Sequence, residues 1–104
     1  MTTDQRVVRI AELEIVASHL ADYKALLAEE ITASIEREPG VLMLHAVAIK
    51  TAPHHIHLLE VYASKAAYEA HIQTPHFLKY KTATAAMVAS LRLIDVAPVV
   101  LAAK

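Results

Sequence analysis

The 104-residue chain has no cysteine. Disulfides, thiolate nucleophiles and cysteine-held zinc or iron–sulfur centres are therefore excluded. Glycine occurs once, at Gly40. A single glycine cannot build a glycine-rich phosphate loop or a nucleophile elbow, so the usual NAD, FAD and ATP sites are not expected. Neither sign of charge dominates: 10 Lys and Arg stand against 11 Asp and Glu, mixed along the chain, for a formal net charge of −1. The basic patch of a nucleic-acid-binding surface is missing. The longest apolar runs, "VLML" and "APVVLAA", fall well short of the ~18–20 residues that cross a bilayer. The start "MTTDQRVVRI" has no basic segment followed by an apolar one, so no signal peptide is read there. These absences lead us to expect one cytoplasmic domain spanning residues 1–104, with neither nucleic-acid nor membrane partners.

What the chain does have is apolar surface. Hydrophobic residues make up 56% of it, and mean hydropathy is +0.37. So short a chain has little interior in which to hide that surface, and a second subunit is the simplest cover.

Periodicity supplies the elements. "RVVRIAELEI" (6–15) alternates and is rich in β-branched residues, as a strand is. "SHLADYKALLAEEITASIEREPG" (18–40) carries Leu20, Tyr23, Leu27, Ile31 and Ile35 at helical spacing, with Ser18 as the expected cap and Pro39-Gly40 as the stop. "VLMLHAVAIK" (41–50) and "IHLLEVYA" (56–63) read as strands joined through "TAPHH". "SKAAYEAHIQ" (64–73) reads as a short helix capped by Ser64. "TPHFLKYKTATAAMVASL" (74–91) reads as another, with Thr74 as cap, Pro75 in the first turn, and Phe77, Tyr80, Thr84, Met87 and Val88 on its inner stripe. "LRLIDVAPVV" (91–100) reads as a last strand. The order β-α-β-β-α-α-β predicts an α+β, ferredoxin-like fold, an antiparallel sheet with helices on one face. The second strand is apolar on both faces, which predicts that the other sheet face is covered as well, by a second sheet in a dimer.

Polar residues inside apolar segments are the candidates for chemistry, because burying them without partners costs ~1–3 kcal/mol or more. Glu60 lies among leucines and valine in the third strand. It is either a structural carboxylate paired with Arg9 or Arg92, or a carboxylate that orients a histidine or a ligand hydroxyl. His45 interrupts an apolar strand and is either a satisfied core histidine or a pocket residue. Glu12 and Glu14 share one strand face and read as solvated or dimer-edge residues. His55 and His57 share a strand face at a spacing that can hold a metal, but a third ligand of known spacing is missing and the run starts in a turn, so His54, His55 and His57 read as surface histidines. His71 falls on the inner stripe of its short helix, where a histidine can act as a base near neutral pH. His76 sits in the first turn of the next helix and reads as surface or interface architecture. The Thr-Pro step divides His71 from His76, so a shared metal is not expected.

The run "EVYASKAAYEAHIQTPHF" (60–77), with its glutamate-x-aromatic start and its His-x-x-Thr-Pro-His-Phe end, closely resembles the antibiotic biosynthesis monooxygenase-like (ABM) family, in particular its quinol monooxygenase members. "IAELEI" (10–15) and "EREPGVLML" (36–44) resemble the family's first strand and its helix-to-strand turn. The resemblance implies a dimeric α+β barrel. It also implies a monooxygenase working without flavin, haem or metal, in which a reduced aromatic substrate supplies the electrons to O2. Carried onto this chain it makes His71 and Glu60 the catalytic pair, with Tyr62, Phe77, His76 and His45 around the substrate. Relatives often carry tryptophan where Tyr62 stands, and haem-degrading relatives use a tryptophan and histidine set that is missing here, which argues against haem breakdown. The fold also leaves room for a protein that sequesters an aromatic metabolite, or for an isomerase of a small signalling molecule.

Overall fold

A computed structural model describes residues 4–104. Four strands and three helices follow one another as β1 (Val7–Ile15), a 3-10 turn (Ala17–His19), α1 (Leu20–Arg37), β2 (Val41–Ile49), β3 (Ala52–Tyr62), α2 (Lys65–His71), α3 (Pro75–Thr84) and β4 (Val88–Val96). The strands form one antiparallel sheet in the order β2-β3-β1-β4. The fold is the expected ferredoxin-like α+β arrangement.

Alternation along the strands sorts side chains between the two faces. Ala11, Leu13 and Ile15 of β1 and Ile56 of β3 point toward the helices and pack against Tyr23 and Leu27 of α1. A second cluster joins Val41, Leu44 and Tyr62 at the other end. The opposite face carries Glu12 and Glu14 near His57, Arg92 and His54, together with apolar residues such as Val47, which is left exposed.

Several sequence expectations need correction. Ser18 caps nothing: it lies in the 3-10 turn, and α1 begins behind His19 without a side-chain cap. Ile35 is exposed, whereas Glu30 and Ser34 are buried, because the face running Tyr23, Leu27, Glu30, Ser34 is the one turned to the sheet. The hairpin between β2 and β3 is tighter than expected. Lys50 and Thr51 make the turn, so His54 and His55 belong to β3. Helix α3 stops at Thr84, and β4 begins at Val88. Met87 and Val88 still pack on the core, but from the turn and the strand.

The two short helices start as expected. The Ser64 side chain accepts a hydrogen bond from the Ala67 N–H at 3.1 Å. The Thr74 side chain accepts one from the Phe77 N–H at 3.3 Å, with Pro75 in the first turn. These side chains satisfy donors that a helix start leaves free. Gly40 closes the turn into β2. A Cβ placed there would lie 2.6 Å from the Ala67 Cβ, so glycine is required by the close approach of α2.

Candidate active site

Between the sheet and helices α1 and α3 lies a cavity of about 730 Å³, within the range of small-molecule sites. Its walls are mostly apolar, with Leu13, Leu58, Leu91 and Leu93 from the sheet and Phe77 from α3. The polar groups on the wall are few: Arg9, Glu30, Glu60, Tyr62, Tyr68, His71 and Tyr80 among them.

His71 is the last residue of α2 and is 3% exposed. Its Nδ1 lies 2.9 Å from Glu38 Oε2, and His76 Nε2 lies 2.6 Å from that same oxygen. An ionised carboxylate only accepts, so both ring nitrogens donate. Burial pushes the Glu38 carboxyl up, but the hydrogen bonds from His76 and His71 outweigh that and hold it below the usual range. Glu38 caps the C-terminus of α1, where its N–H donates to the Ser34 carbonyl at 3.0 Å. The helix end thus aims one carboxylate at two imidazoles.

With the proton of neutral His71 fixed at Nδ1, the lone pair sits on Nε2. That nitrogen is 3.5 Å from Glu30 Oε1. Glu30 accepts from the Ser34 hydroxyl at 2.8 Å. Burial nevertheless raises its pKa, against the opposing pull of Ser34 and the imidazoles. His71 is therefore a buried imidazole with an oriented ring. Tyr62 and Phe77 hold that ring, their centroids 5.2 and 5.0 Å from its own.

Glu60 is not paired with arginine. It accepts from the Tyr62 hydroxyl at 2.5 Å. Its cross-strand neighbour Arg9 turns to Asp95, at 2.9 Å, and to the Tyr68 hydroxyl, and stacks over the Tyr68 ring at 4.4 Å. Arg92 instead lies 3.6 Å from Glu12 on the opposite face.

Of the residues named from sequence, His71, Glu60, Tyr62 and Phe77 come together on the cavity wall. His45 does not: Leu44 faces the helices, so its neighbour in the strand faces outward and is exposed. His76 is no surface residue. It is 9% exposed and bound to Glu38, behind the wall. The Thr-Pro step does not part the two histidines either. Thr74 Oγ1 donates to the His71 carbonyl at 2.8 Å, and this tight link turns both rings to one carboxylate. Glu38 and Glu30 were missed. Glu30 shares a helical face with Tyr23 and Leu27, a usable signal. Glu38 gives no local signal, because its partners lie 33 and 38 residues away.

The family model for antibiotic biosynthesis monooxygenases matches residues 6–83. The chain belongs to that family. Among solved structures, a Bacteriodes thetaiotaomicron VPI-5482 protein bearing the family's name is 48% identical, with a TM-score of 0.93 over 96% of this chain and 95% of that one. A Lactobacillus acidophilus NCFM protein is 28% identical with a TM-score of 0.85 over 88% of this chain, which spans 44% of that one. Rv0793 from Mycobacterium tuberculosis shares the fold, with a TM-score of 0.83 at 23% identity, over 95% of this chain and 100% of that one. No curated protein matches the sequence. An enzymatic role on a small molecule fits membership of the antibiotic biosynthesis monooxygenases. No helix among the described residues is long and apolar enough to cross a membrane.

Proposed function

We propose that the chain is a monooxygenase that oxidises a quinol or a related polyphenolic substrate with O2, needs no flavin, haem or metal, and works as a homodimer. The observation that carries this reading is the buried His71, its ring fixed by Glu38, presenting Nε2 at the wall of a largely apolar cavity.

A quinol ring fits between Phe77, Tyr62 and the leucines. His71 accepts a phenolic proton at Nε2, and removing that proton makes the ring electron-rich. The quinolate passes one electron to O2. The resulting radical pair combines on a ring carbon, and the peroxide loses water. One oxygen atom stays on the ring, the other leaves as water, and the ring ends at the quinone level. Glu60 is the second catalytic residue. Held by the Tyr62 hydroxyl, it faces the same cavity and accepts from the substrate's other hydroxyl. Excluding water from the cavity protects the peroxide and strengthens each polar contact.

The test is O2 consumption with menadiol-type quinols, with anaerobic controls. His71→Ala should lower the enzyme-dependent rate by about 10²–10⁴-fold, the usual contribution of a general base. An unchanged rate in that variant, or no enzyme-dependent O2 uptake by the parent chain, overturns the reading. Turnover that persists without O2 would instead point to an isomerase, and tight binding without turnover to a sequestering protein.

A further inference from the structure

We infer that Glu30 is a third catalytic residue, which stores the proton that His71 takes from the substrate and delivers it to the peroxide oxygen that leaves as water. This role rests on the oxidation proposed above.

Packing alone does not account for an acid at this position. Glu30 shares the sheet-facing side of α1 with Tyr23 and Leu27, and it is 5% exposed. Among the described residues no lysine or arginine lies within 4.0 Å of its carboxylate, and His71 is its one ionisable partner. Burying a carboxylate without a cation is costly, and a leucine would fill the same space. The Ser34 hydroxyl donates to Oε1 at 2.8 Å. Oε2 accepts no hydrogen bond among the described residues, yet no buried side-chain oxygen there is left without a partner. Oε2 is therefore open to the cavity, whose wall Glu30 helps to form.

The second observation is its place beside the base. His71 Nε2 stands 3.5 Å from Glu30 Oε1. With Nδ1 holding the ring proton, a nitrogen lone pair faces an oxygen lone pair, and the pair is short of one proton. The substrate supplies it. The phenolic O–H breaks, its electron pair stays on oxygen, and the new N–H at Nε2 points to Oε1. Burial favours the neutral carboxyl of Glu30 over the carboxylate, against the pull of Ser34 and the imidazoles. The proton passes to Glu30, and His71 returns to its starting tautomer.

Delivery falls to Glu30 for reasons of freedom and charge. The His71 ring is held by Glu38, Tyr62 and Phe77, so it cannot swing from the phenol to a peroxide on the ring carbon. Glu60 is engaged by the Tyr62 hydroxyl. The peroxide is an anion when the radical pair combines, in a cavity that Glu30 and Glu60 both line. Two carboxylates repel it unless one brings a proton. Glu30 does so: its O–H breaks, an O–H forms on the distal oxygen, and the carboxylate is restored. The ring C–H then yields its proton to His71. Its electron pair forms the new C=O, the O–O bond breaks, and hydroxide takes that proton and leaves as water.

The test is Glu30→Gln, which keeps the shape and removes the proton store. With menadiol and O2, kcat for the oxygenated product should fall about 10²-fold or more, the usual worth of acid–base catalysis, with KM little changed. Part of the O2 uptake should persist and appear as H2O2. Glu30→Asp should recover some product. Glu29→Gln, exposed on the same helix and paired with Lys79, should match the parent chain. A probe without turnover is 4-nitrophenol. It should bind as the coloured phenolate and bring up the infrared band of a neutral carboxyl, which Glu60→Gln keeps and Glu30→Gln loses. Glu30→Leu guards against misfolding: it should lose product equally at a urea midpoint no lower than the parent's. A parent-like kcat and product-to-H2O2 ratio in Glu30→Gln overturns the role while the oxidation stands. So does a carboxyl band that survives Glu30→Gln. A parent chain without enzyme-dependent O2 uptake overturns the oxidation, and the role with it.

Discussion

Glu38 shows how one side chain can set the state of two others. Because its oxygen accepts from both rings, it fixes the tautomer of each, and so decides which nitrogen of His71 is free for chemistry. Glu38 was not legible in the sequence, although His71 was. A histidine on an apolar helical stripe stands out locally, but a carboxylate before a Pro-Gly turn looks like any solvated helix end. The phenols are the other residue-scale feature. Burial raises the pKa of Tyr62, Tyr23 and Tyr80; the nearby Glu60 adds to it for Tyr62, and the Tyr80 hydroxyl for Tyr23. A folded pKa above the unfolded value of about 10 gives stability that is complete below that pH and is lost as pH rises further. Resistance to urea should therefore fall as pH climbs above about 10. Phenolate absorbance at these three positions should develop together with the loss of far-ultraviolet circular dichroism. Ionisation of all of them in a chain that is still folded would refute the assignment.

Among elements, α2 and α3 carry the most site chemistry in the fewest residues, and their starts were legible. Ser64 and Thr74 are short hydroxyl residues placed where a helix must begin, and capping needs no knowledge of the fold. Their ends were not legible. Ala83–Val88 continues apolar and helix-compatible, and only sheet pairing of β4 with β1 draws the boundary. The same holds for Ser18, whose cap position was taken over by a 3-10 turn. Thr74 has two roles, capping α3 and tying its start to the His71 carbonyl. Thr74→Ala should cost about 1 kcal/mol, as cap removal does, measured as a shift of the urea midpoint at constant m-value. Thr74→Ser should recover most of it. Equal stability of Thr74→Ala and the parent chain would show that Pro75 alone starts the helix.

For the whole molecule, the question is the sheet face without helices. β1 and β3 put Ile10 and Leu59 opposite each other there, and β2 adds His45 and Val47. Acidic and imidazole groups gather toward the other end, at Glu12, Glu14, His54 and His57. A face so divided suits a second copy of itself turned by a two-fold axis. The fold class was readable from the order of elements and from this excess of apolar strand residues. The cavity was not, since its walls come from segments far apart in the chain. The proposed homodimer predicts twice the chain mass by light scattering at micromolar concentration. Leu59→Arg, or Val47→Lys as a milder variant, should yield a folded monomer. A monomeric parent chain would dispose of the dimer while leaving the cavity chemistry to be judged on its own.

Gly40 and Ala67 meet where the turn into β2 touches α2, and the backbone at Gly40 is not in a left-handed conformation. The restriction at position 40 is thus one of room, and room can be exchanged between two neighbours. Gly40→Ala alone should destabilise the chain by about 1–3 kcal/mol, the range for overpacking. Ala67→Gly should repay much of that in the double variant, despite the cost of glycine in a helix, about 1 kcal/mol on its own. Thermal unfolding of the four proteins in that cycle would show it. A double variant no more stable than additivity allows would mean that the turn needs glycine for some other reason. If the coupling holds, the two positions form one unit of volume, and natural relatives that fill one of them should have emptied the other.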